Sequence, residues 1–192
     1  MRKPYKRANG STSMNGAEAI VTIGHTVIKK RLPKPYRHEV LDKRLRKQRT
    51  KREAKVLQKV AEFMPVPAVI NVSDYEIEME RVHGAPLKDV MTHAAQIGKH
   101  VNSMHMRNIV HGDLTGSNIL IGTSPTFIDF GLAKFNAKVE DKAVDLFLFE
   151  RNMVATHGVK GEAFMQEFYV AYNNKEVMDK LEDVRRRGRH KA

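Results

Sequence analysis

The chain of 192 residues contains no cysteine. This excludes disulfides, thiolate catalysis and cysteine-ligated zinc or iron–sulfur centres, and it fits a reducing compartment. Long apolar runs are also missing. None approaches the roughly 18 residues that cross a bilayer, so no membrane partner is expected. Residues 1–14 are basic and polar and lack the apolar stretch of a signal peptide. Cytosolic residence is expected, with nuclear residence as well in a eukaryote. Negative charge is scarce: 34 Lys and Arg stand against 22 Asp and Glu, a net charge of +12. Such an excess points to an anionic partner, whether nucleotide, nucleic acid or acidic protein surface. The positive charge is concentrated at residues 29–55 and 185–191, which favours binding patches over a uniformly solvated surface.

About two fifths of the chain is apolar, enough for one domain or two small lobes sharing a cleft. Residues 1–15 read as a basic, flexible arm that can add a first strand. Residues 19–23 and 26–28 form a hairpin pattern turned at Gly24-His25. A helix is predicted over 38–60, ended by Pro65 and Pro67. Residues 66–72 and 75–82 read as strands. Gly84-Ala85-Pro86 marks the joint between lobes. Leu87, Val90, Met91, Ala94, Ile97, Val101 and Met104 recur at helical spacing and predict one buried helix. Short strands follow near 109–110, 119–121 and 127–128, then helices over about 141–156 and 162–184. The expectation is an α+β, minimal bilobed fold. Residues 16–83 form a small β-rich N-lobe with one long helix, and 84–184 a mainly helical C-lobe. Residues 185–192 form a basic tail.

The densest chemical signal is His111-Gly112-Asp113-Leu114-Thr115-Gly116-Ser117-Asn118, followed by Asp129-Phe130-Gly131. Phosphoryl transfer asks for a carboxylate beside the attacking oxygen, oxygen ligands for magnesium, and positive charge on the phosphates. Asp113 and Asn118 have the spacing of a kinase catalytic loop, in which the Asp orients the nucleophile and the Asn binds metal. Asp129, after an apolar strand, is the candidate principal magnesium ligand. Asp, Asn and Gly also favour ordinary turns, but both motifs in order, each beside an apolar strand, favour the catalytic reading.

A lysine on a strand and a glutamate on the next helix should complete such a centre. Lys29, after Val27-Ile28, fits the lysine, with Lys30 as its competitor; strand alternation turns only one inward. Glu53, the only acid between Asp42 and Glu62, fits the glutamate; a surface pair with Arg49 is the alternative. Asn15-Gly16-Ala17-Glu18-Ala19 takes the place of a phosphate loop but is not G-x-G-x-x-G. Met79-Glu80-Arg81-Val82 fits a hinge that binds adenine through its backbone.

These residues resemble a known family. Gly16-Ala17-Glu18-Ala19, Val27-Ile28-Lys29, Tyr36-Arg37-His38, Arg49-Thr50 with Glu53, the His-Gly-Asp loop, Asp129-Phe130-Gly131-Leu132 and the stretch from Glu140 to Leu146 recur in order. They look like the small atypical serine/threonine kinase subunit of the KEOPS (EKC) complex, from about Gly16 to the C-terminus. The closing Arg185, Arg186, Arg187 and Arg189 are similar to that family's basic tail and are the candidate tRNA contacts.

The resemblance implies a minimal kinase fold using ATP with Mg2+ or Mn2+, and kinase or ATPase activity. It implies catalytic roles for Asp113, Lys29 and Glu53, and ATP contacts from Gly16, Ala17, Glu18, Ala19, Lys29, Met79, Glu80 and Val82. It implies metal binding by Asn118 and Asp129. It also implies service to threonylcarbamoyl-adenosine formation in tRNA. The threonylcarbamoyl-transferase subunit would sit on the C-lobe and a second small KEOPS subunit on the N-lobe.

Departures from ordinary protein kinases are visible. Gly112 replaces the arginine of His-Arg-Asp, no Ala-Pro-Glu follows, and nine residues separate Gly131 from Asp141. Too little chain remains there to dock a peptide. Asp145 is expected to brace the catalytic loop. Two other classes fit less well: a RIO-like or other His-Gly-Asp kinase with a separate substrate, and a tRNA-binding scaffold with residual nucleotide binding.

Overall fold

The computed structural model describes residues 5–6, 12–15 and 19–189. Contacts divide the chain into two units. The first runs to Glu62 and includes Pro67–Val82; the second holds Phe63–Val66 and everything from His83 onward. The change of unit after β6 falls between Val82 and His83, one residue before the expected limit between 83 and 84. The exception is Phe63–Val66, drawn into the second unit because the Pro65 carbonyl accepts the Phe127 N–H (3.0 Å) and Arg107 lies over the Phe63 ring.

The first unit is a six-stranded antiparallel sheet with one long helix. Its strands are β1 (Tyr5–Lys6), β2 (Thr12–Asn15), β3 (Ile20–Ile23), β4 (Thr26–Lys30), β5 (Val69–Val72) and β6 (Glu76–Glu80), in the order β1-β2-β3-β4-β6-β5. Two strands therefore lie within the stretch read as an arm; β2 pairs with β3 over its whole length, Thr12 opposite Ile23. The β3–β4 hairpin closes at Gly24, whose N–H meets the Thr26 carbonyl at 2.9 Å.

Helix α1 (Glu39–Val60) fills the expected interval. Asp42, Arg46, Thr50, Glu53, Leu57 and Val60 recur every three or four residues and are buried, so one face of an otherwise charged helix is committed to its own unit. Ala54 from α1 packs with Ile77 and Met79 of β6, and Val27, Val69 and Val72 close this small core.

The second unit is mainly helical. It begins with β7 (Ala85–Pro86), α2 (Leu87–Val90) and α3 (Ala94–Met106). The single helix predicted across 87–104 is interrupted, because Met91 (φ 46°) and His93 (φ 65°) take left-handed backbone angles that no continuous right-handed helix accommodates. Strands β8 (Ile109–Val110), β9 (Ile119–Ile121), β10 (Pro125–Phe127) and β11 (Lys134–Phe135) form two small antiparallel sheets, β10-β9-β7 and β11-β8.

Helices α4 (Val139–His157), α5 (Val159–Tyr172) and α6 (Lys175–Arg189) complete the unit. The last two replace the one helix expected over 162–184. Asn173 turns left-handed (φ 41°), and the Asn174 side-chain oxygen accepts the Val177 N–H at 3.2 Å, starting a new helix. The predicted tail does not begin at Arg185: residues 185–189 continue α6. The core is built from Ile97, Val101, Met104, Phe149, Phe168 and Leu181, each fully buried or nearly so. Among the described residues no helix is long and apolar enough to cross a membrane.

Candidate active site

In the first unit, β4 presents its lysines in alternation. Lys29 points inward and pairs with Glu53 at 2.7 Å; its side chain is 12% exposed and that of Glu53 1%. Lys30 points outward, 56% exposed, and pairs with Glu76 across the sheet. The choice of Lys29 and the pairing of Glu53 both match the expectation. The sequence reading missed Arg31, which is 4% exposed and holds the other Glu53 oxygen at 2.5 Å. One buried carboxylate thus anchors two cations. A further buried pair, Arg46 with Asp42 at 2.6 Å, ties the first turns of α1 together.

Ala19 is buried just before β3, and Met79 is buried within β6 opposite Val27. Glu80 is exposed, at the end of β6, and Val82 is half-buried just beyond it. Gly16, Ala17 and Glu18 lie outside the described residues.

In the second unit, the loop from His111 to Asn118 is fastened at both ends. His111 is buried, and its Nε2 donates to the Ile128 carbonyl (3.0 Å) while Nδ1 accepts the Asp113 N–H (3.3 Å). A single ring tautomer satisfies both bonds. Its ring packs on Phe130 at 4.6 Å between centroids, so the His-Gly-Asp and Asp-Phe-Gly motifs are joined directly. Gly112 has φ +79°, and a Cβ there would lie 2.4 Å from the Leu132 carbonyl oxygen. The arginine of ordinary kinases therefore has no room at this position.

Asp145, on α4, is the brace. Its carboxylate accepts the His111 and Gly112 N–H groups, both at 2.9 Å. It also faces His105 Nε2 at 3.3 Å, and His105 Nδ1 meets the Tyr172 hydroxyl at 2.8 Å. His105 and Tyr172 were not foreseen; their contacts join α3, α4 and α5 beneath the loop. Burial pushes the Asp145 carboxyl up, but the His105 hydrogen bond and the nearby imidazoles outweigh it and hold the group below the usual carboxylate range. Asn152, about two turns further along α4, accepts the Gly116 N–H at 2.9 Å.

Asp113 and Asp129 are exposed. Asn118 Nδ2 donates to the Asp113 carbonyl (2.8 Å) and to its carboxylate (3.0 Å). That orientation fixes the amide and turns Oδ1 away from Asp113. Asp129 adopts a left-handed backbone (φ 61°), and its carboxylate accepts the Gly131 N–H at 3.3 Å. A strained aspartate of this kind is held by its surroundings. An amide oxygen and a carboxylate suit Mg2+, which takes few protein ligands and completes its shell with waters and substrate phosphates. Among the described residues no cluster of three or more His, Asp or Glu could hold a metal by itself.

After Gly131 the chain turns at once into β11, which pairs with β8, and α4 begins at Val139. Asp141 holds the entry to α4, accepting the Lys138 N–H at 2.8 Å and the Lys134 ammonium at 2.7 Å.

The expected tRNA contacts in the tail are largely engaged with acids. Arg185 binds both oxygens of Glu150 and also Glu182; Arg186 pairs with Asp183 and Arg187 with Glu140. Arg189 closes α6.

A strand lysine bonded to a helix glutamate, and an aspartate loop braced from a following helix, place this chain in the protein-kinase-like class. The RIO domain family model matches residues 26–147. An EKC/KEOPS complex subunit BUD32 of Encephalitozoon cuniculi is 41% identical, across 91% of this chain and 93% of that one. A probable serine/threonine-protein kinase BUD32 homolog of Archaeoglobus fulgidus is 35% identical, across 91% and 94%. A probable bifunctional tRNA threonylcarbamoyladenosine biosynthesis protein of Methanosarcina mazei is 31% identical over 97% of this chain but only 37% of its own length. The Rio2 kinase of Chaetomium thermophilum superposes with a TM-score of 0.65 at 16% identity, covering 100% of this chain and 74% of that one. The chain belongs to the RIO domain family, in the branch that holds the Bud32-type relatives.

Proposed function

We propose that this chain is an ATP-dependent serine/threonine kinase and ATPase that works as a subunit of a KEOPS-type assembly, supporting threonylcarbamoyl-adenosine formation in tRNA. The name of a relative matched over nearly its whole length supports the assembly, and that of a longer relative, of which this chain spans 37%, supports the tRNA pathway. The observation that carries the catalytic part is the intact pair of half-centres: Lys29 on Glu53, and Asp113 with Asn118 above Asp145. A degenerate nucleotide site has no reason to keep both.

Lys29 neutralises phosphate oxygens of ATP, with Glu53 holding the ammonium in place. Asp113 orients the attacking oxygen. That oxygen bonds to the γ-phosphorus, the bond to the β,γ-bridging oxygen breaks, and ADP departs; the nucleophile's proton passes to Asp113 or solvent. Asn118 and Asp129 would hold Mg2+ or Mn2+, which when bound neutralises charge on the transferred phosphoryl group. Only nine residues lie between Gly131 and Asp141, and part of that stretch is spent on β11. Water, or a hydroxyl of one dedicated partner, is therefore the acceptor, rather than a range of peptides. The transferase subunit is assigned to the helical unit, the second small subunit to the β-rich one.

ATP turnover by the native chain and by Asp129→Ala, with and without tRNA and the transferase subunit, tests this reading. Turnover should fall at least a hundredfold in the variant, on the order of the loss seen when one charge-stabilising group is removed from a transition state. Equal turnover would end the catalytic claim.

A further inference from the structure

Strand β4 ends at Lys30, and Arg31 continues its line. The Arg31 N–H donates to the Tyr75 carbonyl at 2.9 Å, and the Arg31 carbonyl accepts Arg46 Nη1 of α1 at 3.3 Å. Arg46 is itself fixed. Its Nε donates to Asp42 at 2.6 Å, and its guanidinium lies 4.1 Å from the centre of the Tyr75 ring. The Lys34 N–H reaches Asp42 as well, at 3.3 Å. The backbone at residue 31 is therefore held from both sides, by the bend before β6 and by α1. Residues two apart on an extended chain face the same way, and Arg31 sends its side chain to the same carboxylate as Lys29. Arg31 Nη2 donates to Glu53 Oε2 at 2.5 Å, and Lys29 Nζ to Oε1 at 2.7 Å.

We infer that Arg31 is a positioning residue for phosphoryl transfer: it fixes the Glu53 carboxylate so that Oε1 faces Lys29. The end torsion of a glutamate is broad and two-fold. A lysine ammonium is a point charge on a flexible four-carbon stem. A carboxylate held by that ammonium alone can turn, and the ammonium can follow it. A planar guanidinium on the second oxygen removes that freedom. Arg31 is also tied through its backbone to α1 and to the bend before β6, so the strand carrying Lys29 and the helix carrying Glu53 are fastened by a contact that does not pass through Lys29. An ammonium has three donors, so Lys29 can keep Glu53 while it turns toward phosphate oxygens of ATP. Groups placed in advance cost no reorganisation when charge develops in the transition state. The inference rests on the proposed ATP reaction. Within it, Arg31 acts through Lys29 and makes no contact with ATP.

The test reads kcat and KM for ATP from ADP release by the full chain with Mg2+. Arg31→Gln and Arg31→Lys are each made in the native chain and in Lys29→Met. Thermal melts set an assay temperature at which the proteins are folded. Arg31→Gln should lower kcat/KM about tenfold to a hundredfold, the scale of a misplacement of about 1 Å at a reacting centre. In Lys29→Met nothing is left to position, so the same change should cost less than about twofold there, as coupled residues require. It should lower the melting temperature in both backgrounds. Arg31→Lys keeps a cation for Oε2 and should fall between the native chain and Arg31→Gln, again only where Lys29 is present. It replaces Arg31→Gln in both comparisons if that variant does not fold. Titration with mant-ATP gives the same comparison where turnover is too slow to read.

Equal losses with and without Lys29 would overturn the inference, since Arg31 would then act on the fold or on ATP directly. Native kcat/KM in the folded Arg31 variants would overturn it too; with Lys29→Met still impaired, the proposed function would stand. Turnover by Lys29→Met equal to that of the native chain would remove the catalytic reading itself, and the inference with it.

Discussion

Asp145 accepts two backbone N–H groups and faces an imidazole in a site closed to water. Removing it leaves those donors without partners, and unmade bonds in a dry site cost far more than made bonds contribute. Asp145→Ala should lose about 3–5 kcal/mol in urea unfolding, the range for a broken buried ionic contact. The pH dependence has a definite sign. The folded carboxyl titrates below its unfolded value, so its contribution is whole above about pH 4 and is lost as pH falls through the lower folded value. The gap between wild type and Asp145→Asn should therefore close in acid; a gap that widens there contradicts the assignment. Lys29 and Arg31 share Glu53 but divide their duties. Arg31 is the more buried, so Arg31→Ala should cost more stability than Lys29→Ala, by about 1–2 kcal/mol. Lys29→Ala should cost more ATP turnover. Melts and turnover on the same two variants decide it.

At the scale of elements, close approach is what the sequence pattern leaves unsaid. Gly98 on α3 sits where a Cβ would come 2.4 Å from the Phe168 carbonyl oxygen of α5. Gly98→Ala should therefore lower stability by about 1–3 kcal/mol through overpacking, despite the better helix propensity of alanine. A stabilised variant in thermal unfolding would show that the two helices are not in contact. Helix α1, the β3–β4 hairpin and strands β5 and β6 were legible because their apolar spacing and turn residues are local. The interruptions at Met91 and Asn173 were not. Their left-handed angles are set by what packs on either side, and the apolar period runs through both breaks. Lys29 over Lys30 was legible from alternation; Arg31, just beyond the end of that strand, needed the partner to be seen.

For the molecule as a whole, the helical unit carries a half-buried histidine outside the catalytic network. His100 lies edge-on to Phe127 at 6.2 Å, and burial alone holds its imidazole below the usual value near 6.5. The unfolded chain takes up the proton first as pH falls, so stability is flat above about pH 6.5 and declines below it. His100→Gln should flatten that decline in melts across the range; an unchanged slope would place its cause elsewhere. At this scale too, composition announced a strongly basic protein, while which acid meets which base, Glu150 on Arg185, Glu140 on Arg187 and Asp74 on Lys47, appeared only in the fold.

By itself the sequence determined most of the order of elements, the kinase-like class and the candidates Lys29, Glu53, Asp113, Asn118 and Asp129. Each is written in local spacing: a period of two or 3.6, a turn, a motif of fixed length. The tertiary structure alone decided that Asp145 meets His105 and the loop some 40 and 34 positions earlier. It alone decided that Gly112 excludes arginine, and that Arg185 and Arg187 of α6 meet Glu150 and Glu140 of α4. Those outcomes depend on which distant side chains are brought within a few ångströms, a quantity that no local period contains.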